Sequence, residues 1–213
     1  HANLAGLAIL DAGSEEQKKR FLPRMVSGEL IGAFALTEPQ AGSDIAALQT
    51  TATPMGDDYL LNGIKSWVVN GSIAGLFVLF ARAPGGVTAF LVPADTPGLT
   101  VGYRELTMGL RGSQIHALYL KQCRVPASSR LGAEGAGLSI AERALPRFQL
   151  AIAAAALGAA EAALQEGKQF ATERKQFEAV IATKQAIRNY FADSIVEIES
   201  LRHLVSHTAW RMD

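Results

Sequence analysis

Cysteine is almost missing: Cys123 stands alone among 213 residues. That excludes an internal disulfide and any metal cluster built on thiolates. Neither sign of charge prevails, since 20 basic residues offset 20 acidic ones. Such a balance offers no footprint for nucleic acid or for an anionic membrane surface. Long apolar runs are lacking too. The richest stretch, residues 150–164, is mostly alanine and leads into Glu and Lys. It stops short of the roughly 18 residues a bilayer span needs, so no membrane span is expected. No basic-then-apolar leader opens the chain. It begins inside a helical pattern, and further sequence upstream is expected. The lone thiol suits a reducing cytosol or matrix, so a cytoplasmic protein is expected.

What is present changes period twice. Residues 1–29 read as helical, with Ala5, Ala8, Ile9 and Ala12 on one face. Gly13 is expected to end that run as a left-handed cap. Ser14 and Gln17 have the spacing of a capping box for a second short helix. Residues 30–130 turn to short β-rich runs. Asn62-Gly63 predicts a tight hairpin, and Gly56-Asp57-Asp58 and Pro84-Gly85-Gly86 predict further turns. Strands are expected over 59–61, 64–70, 76–81, 87–93 and 115–120, a spacing that indicates an antiparallel barrel or sandwich. Residues 131–213 are again helical, with no glycine after Gly167. Two long helices are expected, joined near 177–181, with Pro146 starting or just preceding the first. The fold class is therefore α+β and multidomain: helical segment, β-domain, long-helix bundle.

Several motifs stand out within this order. Phe34-Ala35-Leu36-Thr37-Glu38-Pro39-Gln40-Ala41-Gly42-Ser43-Asp44 closes a strand and enters a glycine-containing loop that can offer backbone N–H groups. Asn62-Gly63-Ile64-Lys65-Ser66-Trp67-Val68-Val69-Asn70-Gly71 follows, then Met108-Gly109-Leu110-Arg111-Gly112-Ser113 and Cys123-Arg124-Val125-Pro126. The last zone adds Glu173-Arg174-Lys175-Gln176-Phe177 and Gln185. In this order and spacing the motifs closely resemble the acyl-CoA dehydrogenase family, across essentially the whole chain. The resemblance places the chain over the end of the N-terminal helical domain, the middle β-domain and the first two helices of the C-terminal domain.

That resemblance implies an FAD-dependent oxidoreductase that desaturates an acyl-CoA or acyl-carrier thioester beside its carbonyl. It also implies an electron-transfer flavoprotein as acceptor and a homodimer or homotetramer. Phe34, Leu36, Thr37, Gly42 and Ser43 match flavin-lining positions, and Ser43 also matches one near the thioester. Trp67 matches the tryptophan that packs on the flavin, and an indole makes a dry, flat wall. Arg174, Phe177 and Gln185 match residues that reach a neighbouring protomer's FAD; a guanidinium fork suits a pyrophosphate. Arg174 and Phe177 are expected on one helical face, with Phe170 a turn earlier.

The pattern is broken in places. Val69 stands where the family usually has a hydroxyl that can hydrogen-bond flavin N5. Strand alternation would put Lys65, Trp67 and Val69 on one face. Gln149 occupies a substrate-side position that generally carries arginine, and Pro146 one that is often acidic. Phe148 excludes the branch that places its catalytic glutamate there. Glu178 replaces a usual glycine, and Ile115 a common threonine. No catalytic base of the family falls within residues 1–213. A flavin oxidase or monooxygenase on a carrier-bound or non-CoA substrate, or a non-catalytic flavin-binding paralogue, therefore stays open. No metal site is expected: His203 and His207 have i,i+4 spacing, but Leu204 stands where a zinc-protease helix needs glutamate. His116 reads as an exposed or satisfied strand histidine. Gly132, Gly135 and Gly137 lack the strand and fingerprint of a dinucleotide fold.

Overall fold

The computed structural model describes residues 2–213, which divide into two compact units, one up to Pro146 and one from Arg147. In the first unit, α1 (Ala2–Ala12) and α2 (Glu15–Val26) precede the strands. Leu4, Ala5, Ala8 and Ile9 of α1 are buried. The Ser14–Gln17 capping box forms as expected, each side chain holding the other's backbone N–H. Gly13 is not a left-handed cap. Its amide bonds Ile9 O at 2.8 Å, and an added Cβ would lie 2.5 Å from that oxygen. Close approach, not a positive φ, is what requires glycine there.

The strands are β1 (Gly32–Ala35), β2 (Thr51–Met55), β3 (Asp58–Val69), β4 (Leu76–Ala83), β5 (Gly86–Pro93), β6 (Leu99–Arg104), β7 (Ile115–Pro126) and β8 (Arg130–Leu131). They form one sheet in the order β6-β7-β3-β2-β4-β5-β8. Most pairs are antiparallel, but β1 joins β4 in parallel, and β2 meets β4 in parallel at one register position. Its core gathers Leu61, Val68, Phe77, Leu79, Phe90, Val92, Leu118 and Val125.

Asn62-Gly63 is not a hairpin. Both lie inside β3, because the turn sits earlier: Met55 pairs with Asp58 around Gly56-Asp57, and Gly56 has φ +62°. Glycine at the first central position is the type II′ signature. Asn62 instead uses Oδ1 to accept from Gln122 N at 2.7 Å. Pro84–Gly85 does turn the chain, between β4 and β5.

Two bulges then rephase β3 against β7. Leu61 pairs with Cys123 but Gly63 with Leu120, so β7 carries an extra residue; Gln122 there has φ +51°. Lys65 pairs with Leu118 but Val68 with His116, so β3 carries the next extra residue; Trp67 there has φ +58°. A bulge interrupts side-chain alternation. Tyr59, Leu61 and Lys65 face inward on odd positions, and Val68 faces inward on an even one. The expectation that Lys65 and Trp67 share a face is thus corrected.

In the second unit α3 (Gly137–Glu173), which begins in the first, continues to a short hairpin of β9 (Lys175–Gln176) and β10 (Ala179–Val180), then to α4 (Gln185–Met212). Arg202 of α4 meets Glu161 of α3 at 2.8 Å. The Phe191 ring lies 3.5 Å from where a Gly167 Cβ would be, so glycine allows the close packing. Pro146 neither starts nor precedes the helix; α3 runs through it. α3 is also long and apolar enough, by length and composition alone, to cross a membrane. The expectation that no stretch reached that length is corrected: Glu161 is the one charged residue between 148 and 165.

Candidate functional site

The turn after β1 is tied down from several sides. Glu38 N and Ala41 N each bond the other residue's carbonyl, at 3.0 and 3.1 Å, closing a tight turn over Pro39-Gln40. Ser66 N donates to Thr37 O at 2.9 Å, which brings the turn beside the residue preceding Trp67. Beneath lies a buried ion pair. Lys65 Nζ donates to Glu38 Oε1 at 2.7 Å and to Leu36 O at 3.1 Å; the two side chains are 0% and 1% exposed. Glu38 also accepts from Gln49 N at 2.6 Å, Thr50 N at 3.0 Å and Gln40 Nε2 at 3.0 Å. Burial pushes the Lys65 ammonium down to about 8, with Glu38 acting the other way. Glu38 is held below its ordinary value: burial would raise it, but Lys65 and the amides outweigh that.

On this base the expected flavin-lining residues divide. Phe34 and Leu36 are buried, and the Phe34 ring packs tilted against Phe80 with centroids 4.8 Å apart. Their side chains therefore belong to the core. Gly42 and Ser43 are exposed, and a Cβ on Gly42 would meet nothing within 4 Å. Trp67 is 55% exposed, turned outward by its bulge, and Val69 is half-buried. Thr37, Ser66 and Trp67 thus come together, with an open glycine in the same short turn. A flat ring needs an apolar wall with backbone groups at its rim, and these residues fit that need.

Arg174, Phe177 and Gln185 belong to the second unit and are all exposed. Arg174 and Phe177 do not share a helical face, because α3 ends at Glu173. Phe177 and Glu178 are the central pair of the β9–β10 hairpin, with φ of +54° and +62°. Two positive φ values are the type I′ signature, which explains why glycine would be at ease at position 178. Lys184 Nζ lies 5.1 Å from the Phe177 ring centroid. Gln185 opens α4 and lines a shallow groove with Arg188 and Asn189. Gln149 is exposed on α3.

A groove of about 600 Å³ lined by Gln17, Arg20, Leu91, Pro93, Ser128 and Arg130 shares no residue with the Trp67 wall. His116 is buried, not exposed: Nδ1 lies 2.9 Å from Gly102 O, and Nε2 has no hydrogen-bond partner among the described residues. No group of metal-ligating side chains occurs among the described residues. Sequence reasoning missed the Lys65–Glu38 pair. The available signal was a lysine at an inward-alternating position, two residues from a tryptophan.

Comparison with known proteins decides the family. Residues 33–123 match the acyl-CoA dehydrogenase middle domain, 135–213 the C-terminal domain, and 1–29 the N-terminal domain. An acyl-CoA dehydrogenase of Bacillus subtilis (strain 168) is 44% identical over 214 residues, covering 98% of this chain and 56% of that protein. The chain belongs to the acyl-CoA dehydrogenase family. Two solved structures agree. One is a glutaryl-CoA dehydrogenase from Mycobacterium smegmatis in complex with FADH2 (TM-score 0.91, 37% identity, 95% of this chain and 52% of that one). The other is a prolyl acyl carrier protein oxidase (TM-score 0.94, 38% identity, 98% and 57%). The chain spans about half the length of these relatives.

Proposed function

We propose that this chain is part of an FAD-dependent acyl-CoA dehydrogenase that removes hydrogen from the α and β carbons of an acyl thioester. The observation that carries the reading is the outward-turned Trp67 beside a turn clamped to its own strand. When bound, FAD supplies the hydride acceptor. Trp67 keeps water from one side of the site, and Gly42 lets backbone approach closely. Ser43 stands exposed where it can bond a polar group of substrate or cofactor. Val69 has no donor to offer, which removes one hydrogen bond worth about 1 kcal/mol. We assign the catalytic base to the half of the protein beyond these residues.

Arg174 and Phe177, exposed on their hairpin, would serve the FAD of a neighbouring copy in a dimer or tetramer. The alanine-rich face of α3 we assign to further helices of the C-terminal domain rather than to lipid, and the setting to the cytoplasm. Electrons would pass to an electron-transfer flavoprotein. The test is anaerobic mixing of the full-length holoenzyme with acyl-CoAs of graded chain length. Loss of the flavin's visible absorbance is expected; no loss at any length rejects the reading.

A second reading is supported by Val69 and by the likeness to a carrier-protein oxidase: oxidation of a carrier-bound thioester with oxygen as acceptor. Hydrogen peroxide formed from an acyl-carrier substrate but not from any acyl-CoA would favour it.

A further inference from the structure

We propose that Lys65 is a positioning residue that locks the Thr37–Gly42 turn to the strand carrying Trp67, so that the two walls of the flavin site are set as one piece. The inference rests on the reading of Trp67 and this turn as flavin-lining.

Its basis is connectivity. One ammonium bonds two parts of the turn, the Leu36 carbonyl at 3.1 Å and the Glu38 carboxylate at 2.7 Å. The lysine lies in β3, one residue before Ser66, whose amide holds Thr37, and two before Trp67. Glu38 carries the connection onward to Gln49 and Thr50, which lead directly into β2. The turn is thereby fixed to two neighbouring strands through one buried charge pair. A bulge directly after Lys65 turns the indole outward while the ammonium stays inside. The same bulge therefore presents the wall and anchors the turn.

Stability alone is a poor explanation for keeping this pair. A buried ion pair often adds little over a packed apolar one, because both ions lose their water. Here burial is the dominant influence on the ammonium and acts against its charge. A charge held against that pull, on a site-forming turn, fits a role in placement.

The test uses the full-length protein. Because Lys65→Met leaves a buried carboxylate that can prevent folding, the decisive variant is Glu38→Gln/Lys65→Met. It removes both charges and keeps one side-chain oxygen as acceptor for either the Gln49 or the Thr50 amide, which bond different Glu38 oxygens. The expected result is a folded protein whose Ser66 amide exchanges at least tenfold faster in the flavin-free form. Its Kd for FAD should rise at least tenfold, and its bound flavin should show displaced visible bands. A folded double variant with unchanged Ser66 exchange, FAD Kd and flavin spectrum overturns the positioning role and leaves the functional reading standing. If the unsubstituted protein takes up no FAD, both fall together.

Discussion

The two stretches that resemble flavin contacts are held in opposite ways. The turn after β1 rests on a fully buried ion pair and on amide bonds to two strands. The hairpin at 175–180 is exposed, with Phe177 at 90% and two non-glycine residues in left-handed conformation. In the first, the turn is fixed by a buried ion pair and by hydrogen bonds within one unit. In the second, it follows from turn geometry that L side chains adopt only at a cost, of roughly 1–2 kcal/mol per residue. Strain of this kind recurs where function fixes a conformation. The lesson is that one candidate contact is fixed by burial and the other by a strained turn.

The contrast can be broken most severely at Lys65. Lys65→Met alone should destabilise the protein by about 3–5 kcal/mol in urea unfolding, since it strands the Glu38 carboxylate in the core. Adding Glu38→Gln should restore most of that loss. A single variant as stable as the parent would mean that the carboxylate finds water, and that the turn is not rigidly held.

Next comes the indole. Trp67→Gly removes the proposed flavin wall and also relieves a positive φ. Flavin-free stability should rise by about 1 kcal/mol, while the Kd for FAD in the full-length protein rises at least tenfold. Titration by flavin fluorescence and chemical unfolding measure the two halves.

The hairpin sharpens the comparison from the other side. Glu178→Gly should stabilise the second unit by about 1 kcal/mol, read as a higher Tm, because glycine tolerates φ +62°. The same change in the clamped turn, at Glu38, should be strongly destabilising.

A smaller effect concerns pH. Burial brings the folded Lys65 down to about 8 from its ordinary 10.5. Between those values the unfolded chain binds more protons, so this group's contribution to stability rises with pH, by at most about 1.4 kcal/mol per unit. Unfolding free energies from pH 8 to 10.5 should climb more steeply for the parent than for Glu38→Gln/Lys65→Met.

Much of this architecture is legible in the amino-acid sequence. Ser14 and Gln17 marked a capping box that forms, and Pro84-Gly85 marked a turn that forms. Motif order identified the family. What stayed hidden depends on non-local pairing. Asn62-Gly63 looks like a hairpin from its own chemistry, yet the chain had already turned at Gly56-Asp57. Alternation placed Lys65 and Trp67 together because a bulge is a property of two strands in register, and residues 64–70 alone do not contain it. Arg174 and Phe177 fit helical spacing, but the helix ended one residue earlier. Glu38 and Lys65 are 27 apart in sequence, so only folding reveals their bond.

The paired bulges at Gln122 and Trp67 act as two phase errors that cancel. Shortening one strand by a residue at either place would leave a slip uncorrected, turning every side chain beyond it inside out. Dropping residue 122 and residue 67 together would instead yield an uninterrupted ladder from 58 to 69. Such a sheet could close smoothly and would be plainer than the native one, with no indole left standing outside it.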